Sequence, residues 1–222
     1  MAPSSTVEDY LKAIYQAQSA AENEHALIPT GQIASTLGVV PSAATTMVKT
    51  LAESGLVAYE RHSGVRLTNA GEHLAAMVLR RHRLVELFLV QIMGMSWAEV
   101  HEDAEQLEHA VSDRLIDRID ELLGRPAVDP HGDPIPDSKG AVARHLHQSL
   151  LTCPVDTRII VTRVLDQDAD FLRFLEQPEL KPGQAIKVVA RDPAADSVSV
   201  VSHGNHRVPL GTGAASKLLV KV

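Results

Sequence analysis

Two imidazoles and two carboxylates lie close together in the segment 97–112, at spacings that place them on one side of a helix. They are His101, Glu105, Glu108 and His109. At about 100° per residue, the four side chains fall within about 100° of one another around the helix axis. Carboxylates one turn apart repel each other, and a divalent cation relieves that repulsion while using the neutral histidine nitrogens. The segment alone indicates either a metal site or a solvated helix face with ordinary polar residues.

A second pair of the same residue types, His82 and Glu86, lies at i and i+4 on the preceding helix, which we expect from about 69 to 94. A single His–Glu pair at this spacing usually forms only a hydrogen bond on the protein surface. Two such faces on adjacent helices can form one metal site between them. We expect the next helix to run from about 97 to 123. The middle of the chain therefore favours ligand chemistry, and seven of the 11 histidines lie between residues 73 and 147.

Residues 30–55 have helix-turn-helix spacing. A short helix ends at Gly38, a second helix begins at Pro41, and that helix ends at Gly55. Such spacing also occurs in helical bundles that do not bind DNA. The second helix presents short polar groups, methyl groups and a lysine outward, which suit contacts with phosphates and thymine edges. The candidate DNA contacts on it are Pro41, Ser42, Thr45, Thr46 and Lys49.

The alternating segment 56–68 predicts a hairpin, and a hairpin directly after the second helix is the layout of a winged helix. Arg61 and Arg66 would then lie on the wing, within reach of the DNA backbone or the minor groove. The net charge of -7 argues against a protein that holds polyanions by charge alone. Binding to DNA must therefore be conditional or geometrically specific.

Beyond residue 154 the pattern changes to short β-branched segments bounded by proline or glycine, which predict a small all-β module, a barrel. Before this module, the segment 129–137 predicts a proline-rich turn. We expect Asp129 and His131 in that turn to be exposed to solvent. Residues 138–151 predict a short helix.

The composition is that of a folded protein. The chain has 222 residues, of which 45% are apolar, enough for more than one domain. The single cysteine, Cys153, excludes an internal disulfide and fits a reducing compartment. The first residues lack the basic start and apolar core of a signal peptide, and no apolar run is long enough to cross a membrane. We therefore expect a cytoplasmic protein with no membrane partner.

The order of these segments, together with four motifs, resembles the diphtheria-toxin-repressor family of metal-dependent transcriptional repressors over essentially the whole chain. The motifs are Glu8-Asp-Tyr-Leu, Arg81-His-Arg-Leu-Val-Glu, Val100-His-Glu-Asp-Ala-Glu-Gln-Leu-Glu-His and His131-Gly-Asp-Pro-Ile-Pro. The resemblance implies a mainly α fold with a small β module. Its three domains would be a winged helix-turn-helix DNA-binding domain (1–72), a helical metal-binding and dimerisation domain (73–150) and an SH3-like, FeoA-type β-barrel (151–222).

The resemblance also implies a primary metal site whose ligands are Asp9, Glu105, Glu108 and His109. His82 would lie close to it. Judged from its local sequence, Asp9 is only a favourable first-turn acid of the first helix. Iron-responsive members carry methionine and cysteine where Asp9 and Glu105 stand, and hard oxygen donors at both positions favour Mn(II), as in the manganese-responsive branch. Lys12 stands where members with two adjacent manganese ions carry glutamate, so we expect a primary site for one ion.

An ancillary site is implied in which Glu86 and His101 are ligands, with a further acid from an acidic turn in the β module, where Asp168, Asp166 and Asp170 are the candidates. Such acids can also simply cap a helix. In some manganese-responsive members the Pro-His-Gly turn supplies ligands, which nominates His131 and Asp129. Asp129 stands where a cysteine is often found in the family.

These implications predict a manganese-dependent repressor of metal-uptake genes. It would bind a palindromic operator in double-stranded DNA as a metal-activated homodimer, with no small-molecule substrate and no catalytic residues. An iron(II)-dependent repressor of the same family is one alternative, because Fe(II) and other divalent transition metals accept the same nitrogen and oxygen ligands. A helical metalloenzyme is the alternative from another class, but the sequence has neither a His-Glu-x-x-His run nor a nucleophile beside a base.

Overall fold

A computed structural model describes residues 3–21, 23, 26–143, 148–202 and 207–222. The chain divides into two compact units. The first unit is Met1–His82, Glu108–Val111 and Pro136–Val142, and the second unit is Arg83–Leu107, Ser112–Ile135 and Ala143–Val222. None of the helices in the described ranges combines the length and the apolar character that a bilayer crossing requires.

The first unit begins with α1 (Ser5–Ala20). The predicted helix-turn-helix follows as α2 (Thr30–Thr36) and α3 (Pro41–Glu53). α1 begins after Ser4, because the Oγ of Ser4 accepts a hydrogen bond from the Val7 amide. Gly38 takes a φ of +64° after α2, and Pro41 opens α3 where a missing amide hydrogen removes no helical bond.

The predicted wing follows as an antiparallel pair, β1 (Val57–Glu60) and β2 (Gly64–Leu67), and then α4 (Asn69–Gln91) begins. The inner faces of α1, α2 and α3 pack with alternate residues of the wing in one apolar core. That core includes Leu11, Ile14, Ile33, Ala44, Val48, Leu51, Val57 and Val65. Because α1 shares this core, its position fixes the positions of α3 and the wing.

The second unit contains the later residues of α4, followed by α5 (Val100–Leu107) and α6 (Asp113–Leu122). The prediction of one helix from about 97 to 123 is therefore wrong. α5 ends at Leu107, and the Oγ of Ser112 accepts a hydrogen bond from the Leu115 amide to begin a new helix. Periodicity does not reveal this break, because apolar residues continue at helical spacing on both sides of it.

The break changes which donor residues share a helix. His101 and Glu105 lie one turn apart on α5, as predicted. Glu108 and His109 instead lie in the turn between α5 and α6, and they belong to the first unit. The expectation that all four side chains form a stripe on one helix is wrong.

The C-terminal module of the second unit is a six-stranded antiparallel sheet in the order β3-β8-β4-β5-β6-β7. Its strands are β3 (Gln148–Ser149), β4 (Arg158–Val164), β5 (Ala185–Asp192), β6 (Ser197–Val201), β7 (Arg207–Gly211) and β8 (Leu218–Lys221). α7 (Ala169–Glu176) lies between β4 and β5, and α8 (Thr212–Ser216) lies between β7 and β8. Alternate β-branched residues face a core that includes Trp97 and Leu150. The predicted fold class, mainly α with a small β module, is confirmed.

The predicted helix at 138–151 is wrong where the chain is described. Residues 138–140 form a turn, and Gln148–Ser149 pairs with β8. Residues 144–147 lie outside the described residues.

The proline-rich turn forms as predicted and lies directly against β4. A bridge between Val128 and Pro134 closes it, and the His131 carbonyl accepts a hydrogen bond from the Val164 amide at 2.8 Å. Gly132 has a φ of +85°, and a Cβ at this position would lie 2.0 Å from the Thr162 carbonyl oxygen. Only glycine satisfies both the backbone conformation and the close approach.

Replacing Gly132 by alanine should lower the free energy of unfolding by roughly 2–4 kcal/mol, because the added Cβ meets the backbone of β4 in a conformation that L residues rarely adopt. Gly124→Ala is the matched control. Gly124 also has a positive φ, +78°, but a Cβ added there would meet no atom within 4 Å, so a loss of about 1 kcal/mol is expected. Urea unfolding of both variants measures the difference, and equal losses would contradict the role of the close approach.

Candidate metal centres

Three donor side chains come together in the first unit: Asp9 on α1, and Glu108 and His109 in the turn after α5. One ligand atom from each lies within 4.8 Å of the others. His109 Nε2 is 2.8 Å from Asp9 Oδ1 and 3.5 Å from Glu108 Oε1. We call these three residues the first cluster. Two carboxylates and an imidazole are a donor set that divalent transition metals accept.

Glu108 is the buried acid of the first cluster. Its Oε1 accepts a hydrogen bond from Lys12 Nζ at 2.7 Å, and its Oε2 lies 2.6 Å from His82 Nδ1. Burial alone would raise the pKa of Glu108, but the hydrogen bond and charge of His82, followed by those of Lys12, hold it below its usual value. Glu108 is therefore a carboxylate at neutral pH, and His82 lies beside the first cluster as the resemblance implies.

The ring of His109 is held by a residue that the sequence did not single out. Glu8 Oε2 lies 2.6 Å from His109 Nδ1, and Glu8 Oε1 accepts a hydrogen bond from Arg81 at 3.0 Å. A proton on Nδ1 donated to Glu8 leaves the lone pair of Nε2 directed at Asp9 and Glu108. This is the arrangement by which an outer carboxylate orients a metal-binding histidine. Sequence reasoning uses Glu8 only as a motif residue, because in local context it is a first-turn acid.

A second group of donors lies in the second unit. Glu86 on α4 meets Asp129 and His131 of the proline-rich turn, with one ligand atom of each within 4.8 Å of the others. We call these residues the second cluster. His131 Nε2 donates a hydrogen bond to the Trp97 carbonyl at 2.8 Å, which leaves Nδ1 facing Glu86 Oε2 at 3.7 Å. The carbonyl thereby fixes the tautomer that a metal ligand needs.

The expectation that the turn residues are exposed is wrong, because Asp129 and His131 are both buried. Asp129 Oδ1 accepts hydrogen bonds from the amides of His131 (2.8 Å) and Asp133 (2.9 Å), which folds the turn around the carboxylate. In the described residues, Asp129 Oδ2 and His131 Nδ1 are buried without a hydrogen bond. Buried polar atoms without hydrogen bonds, directed into one group of donors, fit a bound cation.

The charges of the second cluster are only partly balanced. Burial, together with the charges of Asp133 and Glu86, raises the pKa of Asp129 to about 7, against the opposing effects of His131 and Arg83. Burial would lower the pKa of His131, but the nearby carboxylates of Glu86 and Asp129 raise it above its ordinary value. A divalent ion would offset the repulsion between these acids.

His101 and Glu105 lie on the outer side of α5. His101 Nδ1 is 3.2 Å from Glu86 Oε1, and its Nε2 is 3.7 Å from Glu105 Oε1. Glu86 therefore has one oxygen near His101 and the other near His131. Glu105 belongs to the second unit, and its assignment to the primary site stays a prediction.

Asp168 has a helix-capping role. Its Oδ1 accepts hydrogen bonds from the amides of Asp170 and Phe171 at the start of α7, while Asp166 pairs with Lys217 at 2.6 Å. This is the capping alternative raised from the sequence. Among the described residues, no group of metal-binding donors includes Asp168, and its role as a ligand stays a prediction.

The candidate DNA-contact residues lie on the outer face of α3 and on the wing. Pro41, Ser42, Thr46, Lys49, Arg61 and Arg66 are exposed and Thr45 is half-buried. The opposite face of α3 is buried through Ala44, Val48 and Leu51. The hydroxyls of Thr45 and Thr46 donate to the carbonyls of Pro41 and Ser42, each at 2.9 Å, so their methyl groups are held in fixed orientations. Contact of these residues with DNA stays a prediction.

Three family profiles match successive parts of the chain. Residues 4–65 match the N-terminal DNA-binding domain of iron-dependent repressors, and residues 68–137 match the metal-binding and dimerisation domain of the same proteins. Residues 148–222 match the FeoA domain. The three matches follow the order of segments expected from the sequence.

Individual proteins give the same picture. The chain is 36% identical to the transcriptional regulator MntR of Lysinibacillus sphaericus, over 54% of this chain and 84% of that protein. It is 27% identical to the iron-dependent repressor IdeR of Mycobacterium leprae, over 92% of each. A solved manganese-dependent transcriptional repressor in complex with manganese superimposes with a TM-score of 0.85 at 40% identity, covering 96% of this chain and 98% of the other.

Trp97 should report on ion binding at the second cluster. It is the only tryptophan in the chain, and its ring stacks on His131 with the centroids 5.6 Å apart. Because Mn(II) is paramagnetic, we expect addition of MnCl2 to quench tryptophan fluorescence in a saturable way. His131→Gln should remove the quenching, while Asp9→Asn, which alters the first cluster, should retain it. Quenching that persists in His131→Gln would place the bound ion elsewhere.

Glu8→Gln should weaken Mn(II) binding to the first cluster by roughly 10–100-fold, because the amide no longer orients the ring of His109 as the carboxylate does. Isothermal titration calorimetry measures the loss, and the quenching of Trp97 should be unchanged. The exposed acid Glu53 at the end of α3 provides the control variant, Glu53→Gln. Wild-type affinity in Glu8→Gln would contradict the orienting role.

Proposed function

Because the chain belongs to the diphtheria-toxin-repressor family of metal-dependent transcriptional repressors, we propose that it is a manganese-activated repressor that binds operator DNA as a homodimer. The observation that carries the proposal is the first cluster. It joins Asp9, on the first helix of the DNA-binding module, to Glu108 and His109 from a distant part of the sequence. Occupancy of one site can therefore influence the geometry of the DNA-binding module.

The donor atoms support manganese. Asp9 and Glu108 are hard oxygen ligands and His109 adds one nitrogen, a combination suited to Mn(II). The only thiol in the chain, that of Cys153, is buried in the core of the second unit, where burial raises its pKa. Fe(II) is the alternative activating ion, because it accepts the same donors and because the chain is also similar to an iron-dependent repressor along most of its length.

In the proposed mechanism, Asp9, Glu108 and His109 hold the ion, which supplies the positive charge that lets the two carboxylates remain close together. Asp9 is rigidly attached to α1, and α1 packs in the same core as α3 and the wing. Fixing Asp9 against residues 108–111 therefore fixes the orientation of the DNA-reading helix. A shift of a few kcal/mol between the two states is enough to switch operator binding.

The second cluster and the adjacent His101 would form a further metal site. Glu86 lies on α4, and Asp129 and His131 lie on the turn in which Gly132 packs closely against the backbone of β4. We propose that occupancy of this site stabilises the second unit. Glu105, which the resemblance assigns to the primary site, lies one turn after His101 on α5, and its role as a ligand is part of this proposal.

A homodimer is supported by the apolar side chains that the second unit exposes. The matched family profile is a dimerisation domain, and large apolar residues of α5, of α6 and of the segment directly after α4 are exposed. They include Ile92, Met93, Leu107, Leu115 and Leu122. Two copies of α3 in one dimer would read the two halves of a palindromic operator upstream of metal-uptake genes. The spacing of these helices, rather than net positive charge, would give the affinity.

The experiment that tests the proposal is operator binding with and without metal. DNA fragments retained by the Mn(II)-loaded protein from sheared genomic DNA provide the operator. In mobility-shift titrations we expect Mn(II) to increase the affinity by about 100-fold, within the usual range of allosteric coupling. Glu108→Gln should remove the increase, and Glu53→Gln should keep it. Parallel titrations with Fe(II) under anaerobic conditions compare the two ions.

Equal operator affinity with and without both metals would refute the proposed coupling. Activation by Fe(II) at lower free concentrations than Mn(II) would favour the iron-responsive alternative.

A further inference from the structure

Lys12 is a buried cation at the first cluster. It lies on α1, one turn after Asp9, and its side chain is 7% exposed. Lysine is rarely buried unless its charge is paired. Its ammonium lies 2.7 Å from Oε1 of Glu108, whose side chain is 0% exposed. The pair is therefore a buried ion pair that includes one of the proposed metal ligands.

The two oxygens of Glu108 are engaged in different ways. Oε2 is beside His82, an imidazole that can be neutral, whereas Oε1 is beside a group that carries a permanent charge at neutral pH. Removing one partner from a buried ion pair is costly, because it leaves an uncompensated charge without solvent. Lys12 therefore supplies to Glu108 the same neutralising charge that a metal ion would supply.

The other ion pairs around the first cluster show how its carboxylates are neutralised. Around the first cluster, the described ion pairs join Glu108 to Lys12 and Glu8 to Arg81, while Glu8 and Asp9 both pair with the imidazole of His109. Arg81 contacts Glu8, which does not belong to the first cluster. Lys12, in contrast, contacts a carboxylate of the first cluster itself.

We propose that Lys12 is a tethered competitor of the metal ion and sets the manganese concentration at which the first cluster fills. This inference rests on the proposed function. The Lys12 ammonium stabilises the metal-free form, because it satisfies Glu108 when no ion is bound. An arriving ion must share Glu108 with that ammonium or displace it, and it is repelled by the positive charge. Both effects weaken metal binding and move activation to higher metal concentrations.

The test is Lys12→Met, which keeps the length of the side chain and removes its charge. Mn(II) affinity at the first cluster, measured by isothermal titration calorimetry, should rise by about tenfold or more. The thermal midpoint of the metal-free protein should fall, and saturating Mn(II) should raise it by more than in the wild type. Lys12→Arg keeps the charge and should bind Mn(II) within about threefold of the wild type.

A matched control comes from another lysine–carboxylate pair. Lys187 lies 2.9 Å from Asp156 in the second unit, and the two side chains are 44% and 71% exposed. Lys187→Met removes a lysine charge from an exposed pair that includes none of the proposed ligands, so its Mn(II) affinity should equal that of the wild type.

The outcomes separate this inference from the proposed function. Unchanged Mn(II) affinity in Lys12→Met, with normal Mn(II)-dependent operator binding by the wild type, would overturn the inference and leave the function standing. If Lys12→Met is unfolded without metal, recovery of a cooperative unfolding transition with Mn(II) supports the inference. Failure to fold at saturating Mn(II) would overturn it, because the ion would then not replace the ammonium. Absence of Mn(II) binding at the first cluster of the wild type would overturn both.

Discussion

A carboxylate removed from water needs positive charge beside it, and the first unit contains such a group in Glu108. Its side chain is fully buried, and its two oxygens are satisfied by residues of two different helices, Lys12 of α1 and His82 of α4. An unpaired charge at this position would cost several kcal/mol, so the pairing fixes residues 108–111 against the DNA-binding module. The helix that the sequence pattern predicts through this segment gives way to a turn, and Ser112 begins the next helix once that turn is complete.

Each cluster contains a buried carboxyl group, and the surroundings shift the pKa of that group in opposite directions in the two clusters. In the first cluster, cationic partners keep the pKa of Glu108 low, so the ligand remains ionised in the absence of metal. In the second cluster, the arginine that faces Asp129 does not outweigh burial and two neighbouring acids, and the pKa of Asp129 rises to about 7. In the first cluster, Glu108 therefore stays negatively charged beside the ammonium of Lys12. In the second cluster, protonation of Asp129 lowers the total negative charge. Two groups of similar donors in one protein therefore differ in the charge that they carry without metal.

The parts of the fold that can be predicted from sequence are those with local signals. Gly38 and Pro41 mark the turn of the helix-turn-helix, and β-branched runs bounded by proline or glycine mark the strands. The site is less predictable, because its residues are distant along the chain. Only the family resemblance nominates Asp9, and no periodicity pairs it with His109. A polar, proline-rich turn has the composition of a solvated loop, and only the tertiary structure shows that Asp129 is enclosed by the amides of its own turn. Glu8 and Lys12 likewise have no local feature that marks them as buried.

Consecutive residues of α1 contact opposite edges of one aromatic ring. Glu8 lies 2.6 Å from His109 Nδ1, and Asp9 lies 2.8 Å from Nε2 of the same imidazole. Neighbouring side chains on a helix diverge by about 100°, so both contacts exist at only one rotational setting of α1 about its own axis. The contacts with the imidazole of His109 therefore fix the rotation of α1 about its axis. Insertion or deletion of one residue in the short segment between Glu8 and the buried Leu11 would change this setting relative to the apolar core.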